Sequence, residues 1–282
     1  IGTVTTGACL SVVSQTKADN MFQITPSASA AKVIANDNCF QVCFTDPNQG
    51  TASADYIASK GLATKVAVIY NSSDAYSSGI YDNFKAEAAA KGLDLVASEA
   101  FTGDSKQDFS SQLSKIKASG AELIFLPIYY QEASLILSQA KNAGITAKFF
   151  GCDGLDGLLN IENFDKSLAE NVMLLTPCAA NATDETTKKF VTAYNAKYDP
   201  STLNQFAADA YDAVYIVKAA AEKAGVTGDM SVSDICNALK GAMTEITVDG
   251  VTGSGMTWKA TGEVNKEPKA VKIENGEYQP MD

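Results

Sequence analysis

Between Lys65 and Asp156 the hydrophobic pattern of the chain changes its period several times. Short runs that are almost continuously apolar alternate with segments in which apolar residues recur every three or four positions. Continuous runs are typical of parallel strands covered on both faces, and the longer period is that of an amphipathic helix. The apolar runs lie at Val66–Tyr70, Leu93–Ala97, Leu123–Leu126 and Lys148–Phe150.

The segments between these runs are predicted to be helices with one apolar face. The last of them is followed by Gly144, a residue suited to the left-handed conformation that ends many helices. This repetition predicts an α/β fold with a doubly wound parallel sheet and a ligand site beyond the carboxyl ends of its strands. The apolar helical positions are Ile80, Phe84 and Ala88, then Phe109, Leu113 and Ile116, then Ala133, Ile136, Leu137 and Ala140.

Three segments leave the carboxyl ends of the predicted strands, at Asn71–Tyr76, Pro127–Tyr130 and Gly151–Gly154. They carry small polar residues, tyrosines and carboxylates. Because the carboxyl ends of parallel strands meet at one edge of a sheet, we expect these groups to form a single binding surface.

Tyr76, Tyr129 and Asp153 are the candidate ligand contacts on this surface. The residues alone leave another interpretation open, since tyrosines at a sheet edge often only pack and a glycine-flanked aspartate often forms a turn. The Tyr130 side chain is expected to point in the opposite direction to that of Tyr129, because side chains alternate along an extended segment. Asp156 is expected to cap a helix.

The first fifty residues repeat the same pattern of strand, hydroxyl-rich loop and helix. The loops at Thr5–Ala8 and Ser27–Ser29 offer hydroxyls and free backbone N–H groups, which suit an anion such as a carboxylate, or simply cap helices. The segment Thr45–Gly50 is rich in residues that break regular structure, and we place a first domain crossover there. Predicted elements are the end of a strand at Ile1–Val4, a helix at Cys9–Ala18, and strands at Met21–Thr25 and Cys39–Phe44.

The pattern after residue 156 predicts two more crossovers and hence two discontinuous lobes. The first lobe would comprise 1–46 and 179–251, and the second 47–178 and 252–282, with the ligand cleft between them. Several connections between lobes suit hinge closure on a ligand. Predicted elements are a strand at Val172–Thr176, helices at Asp184–Tyr198, Gln205–Ala224 and Val232–Ala242 (with Ser233 as a possible N-cap), a short strand at Met256–Trp258, and a hairpin over Ala270–Tyr278.

Composition restricts the class of function more than it restricts the class of fold. The net charge of −11 argues against nucleic acid or an anionic membrane as a partner, because both require a basic face. The sequence has no histidine and no GxGxxG, GxxxxGK[ST] or GxSxG motif, so we expect no catalytic residue, no metal and no cofactor. Cys39 and Cys43 are expected to be buried thiols rather than a disulfide or a metal pair.

Taken in order, these features resemble the solute-binding proteins of ABC importers for branched-chain amino acids, which have a type I periplasmic-binding-protein fold. The resemblance covers essentially the whole chain, and the ordered set of segments is more specific than any one of them. The segments are Ile1–Thr6, Ile24–Ser29, Val42–Pro47 with Gln49-Gly50, Val66–Tyr76, Ile124–Tyr130, Phe150–Gly154, Phe206–Tyr215 and Asp249–Trp258.

The resemblance implies two lobes that hold the two ends of an amino acid. In the first lobe hydroxyls and main chain would hold the α-carboxylate and ammonium. From the second lobe Tyr76, Tyr129 and Asp153 would close on the ligand, with Asp153 pairing with the α-ammonium and solvated before ligand binds. Phe206 would line the side-chain pocket. The residues implied in the first lobe are Val4, Thr6, Ser27, Ala28 and Ser29.

The chain departs from the family pattern at three places. Gln41 stands where relatives often have arginine, with no expected effect on the pocket. Leu155 stands where an aromatic residue is frequent, which leaves the ligand side chain open. Relatives also begin with about two further strand–helix units before the position of Ile1. We expect the 282 residues alone to be poorly soluble or to lose ligand binding, with the Pro47–Pro177 segment surviving.

The function implied by the resemblance is that of an extracytoplasmic solute-binding protein, in the periplasm or as a cell-surface lipoprotein, that delivers an amino acid to a membrane permease. The partners would be the small-molecule ligand and the permease, without nucleic acid and without insertion of this segment into the membrane. The alternative is a ligand-sensing domain of a receptor or regulator, because one fold serves both roles. An enzyme is the least favoured class.

Overall fold

The computed structural model describes residues 1–177 and 184–281. They fold into two compact units. Unit 1 comprises the described residues of Ile1–Thr45, Ala182–Lys197 and Asn204–Glu267, and unit 2 those of Asp46–Asn181, Tyr198–Leu203 and Pro268–Asp282.

The regular elements follow the predicted alternation of strand and helix. The helices are α1 Thr6–Leu10, α2 Val13–Ala18, α3 Asp46–Ser59, α4 Ala75–Ala90, α5 Ser110–Ser119, α6 Tyr130–Asn142, α7 Glu185–Asn195, α8 Gln205–Ala224 and α9 Val232–Met243. The strands are β1 Gln23–Thr25, β2 Cys39–Gln41, β3 Lys65–Asn71, β4 Asp94–Phe101, β5 Leu123–Leu126, β6 Lys148–Gly151, β7 Met173–Thr176, β8 Lys269–Glu274 and β9 Glu277–Pro280.

Unit 2 is built on a sheet with strand order β4-β3-β5-β6-β7-β8-β9. Strands β3 to β7 run parallel, and β8 and β9 add antiparallel strands at one edge. Both faces are covered. Leu113 of α5 and Ile136 of α6 belong to the core on one face, and Ile80 and Phe84 of α4 belong to the core on the other. This two-sided burial explains why the strands are apolar throughout.

Unit 1 contains a parallel pair, β1 and β2, with helices on both sides. On one side Ile24 and Phe40 pack with apolar residues of α8 and α9. On the other side Cys9 of α1 packs with Cys39 of β2. These two free thiols hydrogen-bond to each other and are fully buried. The interpretation of Cys39 as a buried thiol is confirmed.

Several local expectations are wrong. Ile1–Val4 is not a strand, although the Gly2 N–H donates to the Ile24 carbonyl at 2.9 Å. The helix predicted over Cys9–Ala18 is divided into α1 and α2. The N-cap of α9 is Ser231 rather than Ser233, because the Ser231 hydroxyl accepts from Asp234 N.

The breaker cluster and the last crossover also differ from expectation. Thr45–Gly50 is largely the first turn of α3, since a proline is tolerated at the start of a helix. The third boundary lies at Glu267–Pro268 and not between 251 and 252, so 252–267 belong to unit 1. Met256–Trp258 contributes isolated bridges to this unit rather than a strand. The expected second boundary, between 178 and 179, lies outside the described residues.

Candidate ligand-binding residues

Tyr76 is held in the first turn of α4 in unit 2. The helix begins there because Asp74 has an extended backbone and its carboxylate accepts from the Ser77 N–H at 3.1 Å. The Tyr76 hydroxyl donates to Asp153 Oδ1 at 2.7 Å and accepts from the Gly154 N–H at 2.9 Å. The start of α4 and the loop after β6 are thus joined through one phenol.

Gly154 is required by this contact. A Cβ atom at this position would lie 2.5 Å from the Tyr76 hydroxyl oxygen and 2.7 Å from the Ile128 carbonyl oxygen. Real Cβ atoms do not approach backbone so closely, so only glycine allows the loop to reach the tyrosine.

Tyr129 extends the same surface, because its ring stacks on that of Tyr76 with centroids 4.7 Å apart. Tyr130 packs with the core on the opposite face of the sheet, against Gly157. The alternation expected from the sequence is therefore observed. The loops after β3, β5 and β6 bring Tyr76, Tyr129 and Asp153 together, as their positions at strand ends predict.

Asp153 is buried, with 2 % of its surface exposed, which contradicts the expected solvation of this side chain. Burial raises the pKa of its carboxyl to about 6, because the charged form loses water, and the Asp156 carboxylate raises it further. This pKa is lowered, and the shift limited, by the Tyr76 hydroxyl, the Gln49 carboxamide and the Gly154 N–H. Asp153 is thus a buried carboxylate whose ionised form is supported by neutral donors.

Burial raises the pKa of the Tyr278 phenol, and the neighbouring Asp156 carboxylate raises it further. Asp156 follows the short helical turn Asp153–Leu155 and has an extended backbone. It is the C-cap of this turn, because its backbone N–H donates to the Asp153 carbonyl at 2.9 Å. Its proximity to Tyr278 joins the loop to β9.

In unit 1 the two hydroxyl-rich loops are bound to each other. Thr6 is 1 % exposed, and its Oγ1 accepts from the Ser29 and Ala30 N–H groups, each at 3.3 Å. Thr25 accepts from the Ala28 N–H at 3.0 Å and donates to the Thr3 carbonyl at 2.6 Å. The resemblance assigned these loops to one site, and the structure shows the bonds that join them.

The other residues implied in unit 1 differ in how far they are buried. Ser27, Ala28 and Ser29 are buried, and within residues 1–177 and 184–281 no hydrogen-bond partner is present for Ser29 Oγ. Val4 is exposed, with 41 % of its surface accessible. Phe206 is half-buried in the first turn of α8, whose N-cap is Asn204.

Gln41 corrects an expectation, since it was not predicted to affect the pocket. Its side-chain Nε2 donates to the Ala28 backbone carbonyl at 2.9 Å. Its backbone carbonyl accepts from the Trp258 indole N–H at 2.7 Å. Gln41 of β2 therefore holds the Ser27–Ser29 loop through this bond to Ala28. Sequence reasoning missed it because a glutamine inside a strand carries no local signal of its partner.

The described residues contain no cluster of acidic or cysteine side chains suited to a metal ion. In the same part of the chain, no helix has both the length and the apolar character needed to cross a membrane.

A family model described as periplasmic binding protein matches residues 1–277. The chain belongs to the periplasmic binding protein family. The resemblance inferred from the sequence is confirmed, and so is the expected architecture of parallel-sheet lobes.

Among curated relatives, this periplasmic binding protein is 32% identical over 232 residues to Leu/Ile/Val-binding protein homolog 3 of Brucella melitensis, covering 81% of this chain and 61% of the relative. It is 29% identical over 223 residues to the leucine-, isoleucine-, valine-, threonine-, and alanine-binding protein of Pseudomonas aeruginosa, covering 78% and 58%. The chain thus spans about three fifths of the length of these relatives.

Solved structures of the family are also similar. The leucine binding protein LivK of Thermotoga maritima superposes with a TM-score of 0.87 at 25% identity, covering 100% of this chain and 78% of that one. The branched-chain amino acid transporter substrate binding protein LivJ of Streptococcus pneumoniae, solved with isoleucine, superposes with a TM-score of 0.86 at 28% identity, covering 99% and 76%.

Proposed function

We propose that this periplasmic binding protein captures a small aliphatic amino acid, with branched-chain side chains favoured, and delivers it to an ABC importer. The proposal is supported by relatives named as Leu/Ile/Val-binding proteins and by the similar LivJ structure with isoleucine. The observation that carries it is the buried Tyr76–Asp153–Gly154 arrangement in unit 2.

A buried carboxylate of this kind suits an ammonium group. A cation that leaves water needs a charged or strongly polar partner, and a carboxylate with a raised pKa gains most from a nearby positive charge. We assign the α-ammonium to Asp153, with Tyr76 and Tyr129 enclosing it.

The hydroxyl-rich loops of unit 1 suit the other end of the ligand. Thr6, Ser27, Ala28 and Ser29 offer neutral hydroxyls and backbone N–H groups, and such donors stabilise a carboxylate. We assign the α-carboxylate to these residues, with main-chain atoms of Val4, and the side chain to Phe206. Closure of the two units on the ligand stays a prediction from the sequence.

We further propose that the protein acts outside the cytoplasm, is anchored as a lipoprotein, has no enzymatic activity and meets the permease as its protein partner. The family supports an extracytoplasmic place of action. Neither a cofactor nor nucleic acid has a role in this function.

Ligand binding can be tested on the full-length protein. Native mass spectrometry after gentle purification should show a bound amino acid, and a thermal-shift panel should rank leucine, isoleucine and valine highest. A ligand at about 100 Kd should add about 2.7 kcal/mol to the free energy of unfolding. Stabilisation by none of the amino acids, or only by carboxylic acids without an ammonium group, would overturn the proposal.

Replacing Thr6 by valine should weaken amino acid binding by roughly 1.5–3 kcal/mol. Valine keeps the shape but removes a donor for the ligand carboxylate and the acceptor of the Ser29 and Ala30 N–H groups. Isothermal titration measures the loss. Thr244→Val is the matched control, because its exposed hydroxyl donates only locally, to Gly241. Equal affinities of both variants would remove Thr6 from the site.

A further inference from the structure

Helix α3 approaches α4 unusually closely at Gly50. A Cβ atom there would lie 2.4 Å from the Ile80 carbonyl oxygen and 2.8 Å from the Phe84 nitrogen, both backbone atoms of α4. A larger residue would force the helices apart. The glycine therefore allows α3 to pack close to α4, which sets how deeply the preceding residue, Gln49, is buried within unit 2.

Gln49 is fully buried beside the loop that follows β6. Its Oε1 accepts from the Asp153 N–H at 3.3 Å. The same side chain lowers the pKa of the Asp153 carboxyl. One carboxamide thus acts on both the backbone and the carboxylate of the residue to which we assign the ligand ammonium.

The amide nitrogen of Gln49 is the second group of this carboxamide that bears on Asp153. Within the described ranges 1–177 and 184–281, Gln49 Nε2 has no acceptor at hydrogen-bond distance. The bond from the Asp153 N–H to Gln49 Oε1 keeps this carboxamide beside the loop that carries the carboxylate. A buried amide donor is costly to leave unbonded, so a small movement toward the carboxylate is favourable.

We propose that Gln49 is the positioning residue of Asp153: its carboxamide holds the backbone of the loop and keeps the carboxylate ionised and aimed for an ammonium group. This role rests on the proposed function, because it concerns the same carboxylate.

The other groups around Asp153 make such a neutral donor necessary. Asp156 opposes its ionisation, and the Tyr76 phenol of α4 donates to it. Cys152 precedes it and lies near the Asp46 carboxylate of α3, and Tyr129, the N-cap of α6, stacks on Tyr76. These neighbours are acidic or neutral, so removing the Gln49 amide should leave the carboxylate harder to ionise.

The test follows the ionisation of Asp153 without ligand. Carboxyl carbon chemical shifts are recorded against pH in the full-length protein, and the Asp153 signal is assigned by its loss in Asp153→Asn. Gln49→Met should move the Asp153 midpoint upward by up to about one pH unit, because the carboxylate loses a neighbouring amide donor. The pH at which amino acid affinity declines should move upward with it.

Two further variants separate positioning from packing. Gln49→Glu keeps the shape and the acceptor for the Asp153 N–H but replaces the donor, and should also raise the midpoint. Gln139→Met is the matched control in the same unit. The Gln139 carboxamide bonds only to the backbone of Phe109 and Gln107, so its loss should lower stability without moving the Asp153 midpoint.

The outcomes distinguish the two proposals. An Asp153 midpoint unchanged in both Gln49 variants would overturn the positioning role, even if amino acids still bind. A midpoint that moves as expected in a protein that binds no amino acid would uphold the positioning role and refute the proposed function. Gln139→Met moving the midpoint as far as Gln49→Met would show a general loosening of unit 2 and also overturn the inference.

Discussion

Asp153→Asn should weaken amino acid binding by about 2–5 kcal/mol at pH 7.5, the largest loss expected from any single substitution in the site. Asparagine keeps the size and can still accept from the Tyr76 hydroxyl, but it strands the ligand ammonium without a counter-charge. Isothermal titration of the full-length wild type and variant measures the difference.

The matched control uses a ligand in place of a second protein variant. A carboxylic acid with the same side chain but no ammonium should bind weakly, and equally, to wild type and Asp153→Asn. Asp153→Asn binding the amino acid as tightly as wild type would remove Asp153 from the site.

The same substitution should change the pH dependence of binding and of stability. Burial raises the pKa of Asp153 to about 6 in the folded protein, so the carboxylate is increasingly protonated below pH 6. Because only the ionised form pairs with the ammonium, the affinity of wild type should fall about tenfold per pH unit below pH 6. Asp153→Asn should lack this decline.

Stability without ligand follows from the sign of the shift. The unfolded chain ionises Asp153 near pH 4 and the folded chain near pH 6, so this group lowers stability as pH rises through that window. We therefore expect Asp153→Asn to have a higher Tm than wild type at pH 7.5, and the difference to shrink at pH 4. A lower Tm at pH 7.5 would show that the carboxylate is a structural element of the loop.

Lys266→Met should destabilise unit 1 by about 3–5 kcal/mol, because it removes one partner from a buried ion pair. Lys266 Nζ lies 2.6 Å from Thr252 Oγ1 and 3.8 Å from Asp209 Oδ1, and both charged side chains are nearly inaccessible to water. Methionine fits the space but leaves the Asp209 charge without this cation. Hydrogen-exchange mass spectrometry of α8 reports on unit 1 alone, which avoids assuming a single unfolding transition.

Two controls define this result. Lys218→Met breaks an exposed ion pair with Glu222, at 2.8 Å, on α8, the helix that carries Asp209. This substitution should lower the stability of unit 1 by about 1 kcal/mol or less. Combining Lys266→Met with Asp209→Leu removes both buried charges and should recover most of the lost protection. Equal exchange in Lys266→Met and Lys218→Met would show that the buried pair contributes little.

Local periodicity was sufficient to predict most of unit 2. The strands at Val66–Tyr70, Leu123–Leu126 and Lys148–Phe150, and the helices between them, depend on apolar residues that face a core on either side of one sheet. Such residues carry their own signal, since burial on a face imposes a period on the sequence. Loops that leave the same edge of a sheet must meet, so the approach of Tyr76 to Asp153 also followed from the pattern.

The pattern was less informative in unit 1 and at the boundaries. The split of the first helix into α1 and α2, and the place of 252–267 in unit 1, depend on contacts distant in sequence. Trp258 illustrates this, because its indole bonds to Gln41, more than two hundred residues earlier. A short segment with weak periodicity adopts whatever geometry its distant partners impose.

The sequence by itself determined the order of strands and helices, the family resemblance and the loops from which the ligand contacts come. Only the tertiary structure decided that Asp153 is buried and that Gln41 and Gln49 support the two sets of loops. The physical reason is that a polar side chain in the interior is defined by its bonding partner. That partner is set by how elements pack in three dimensions, and the period of the chain contains no record of it.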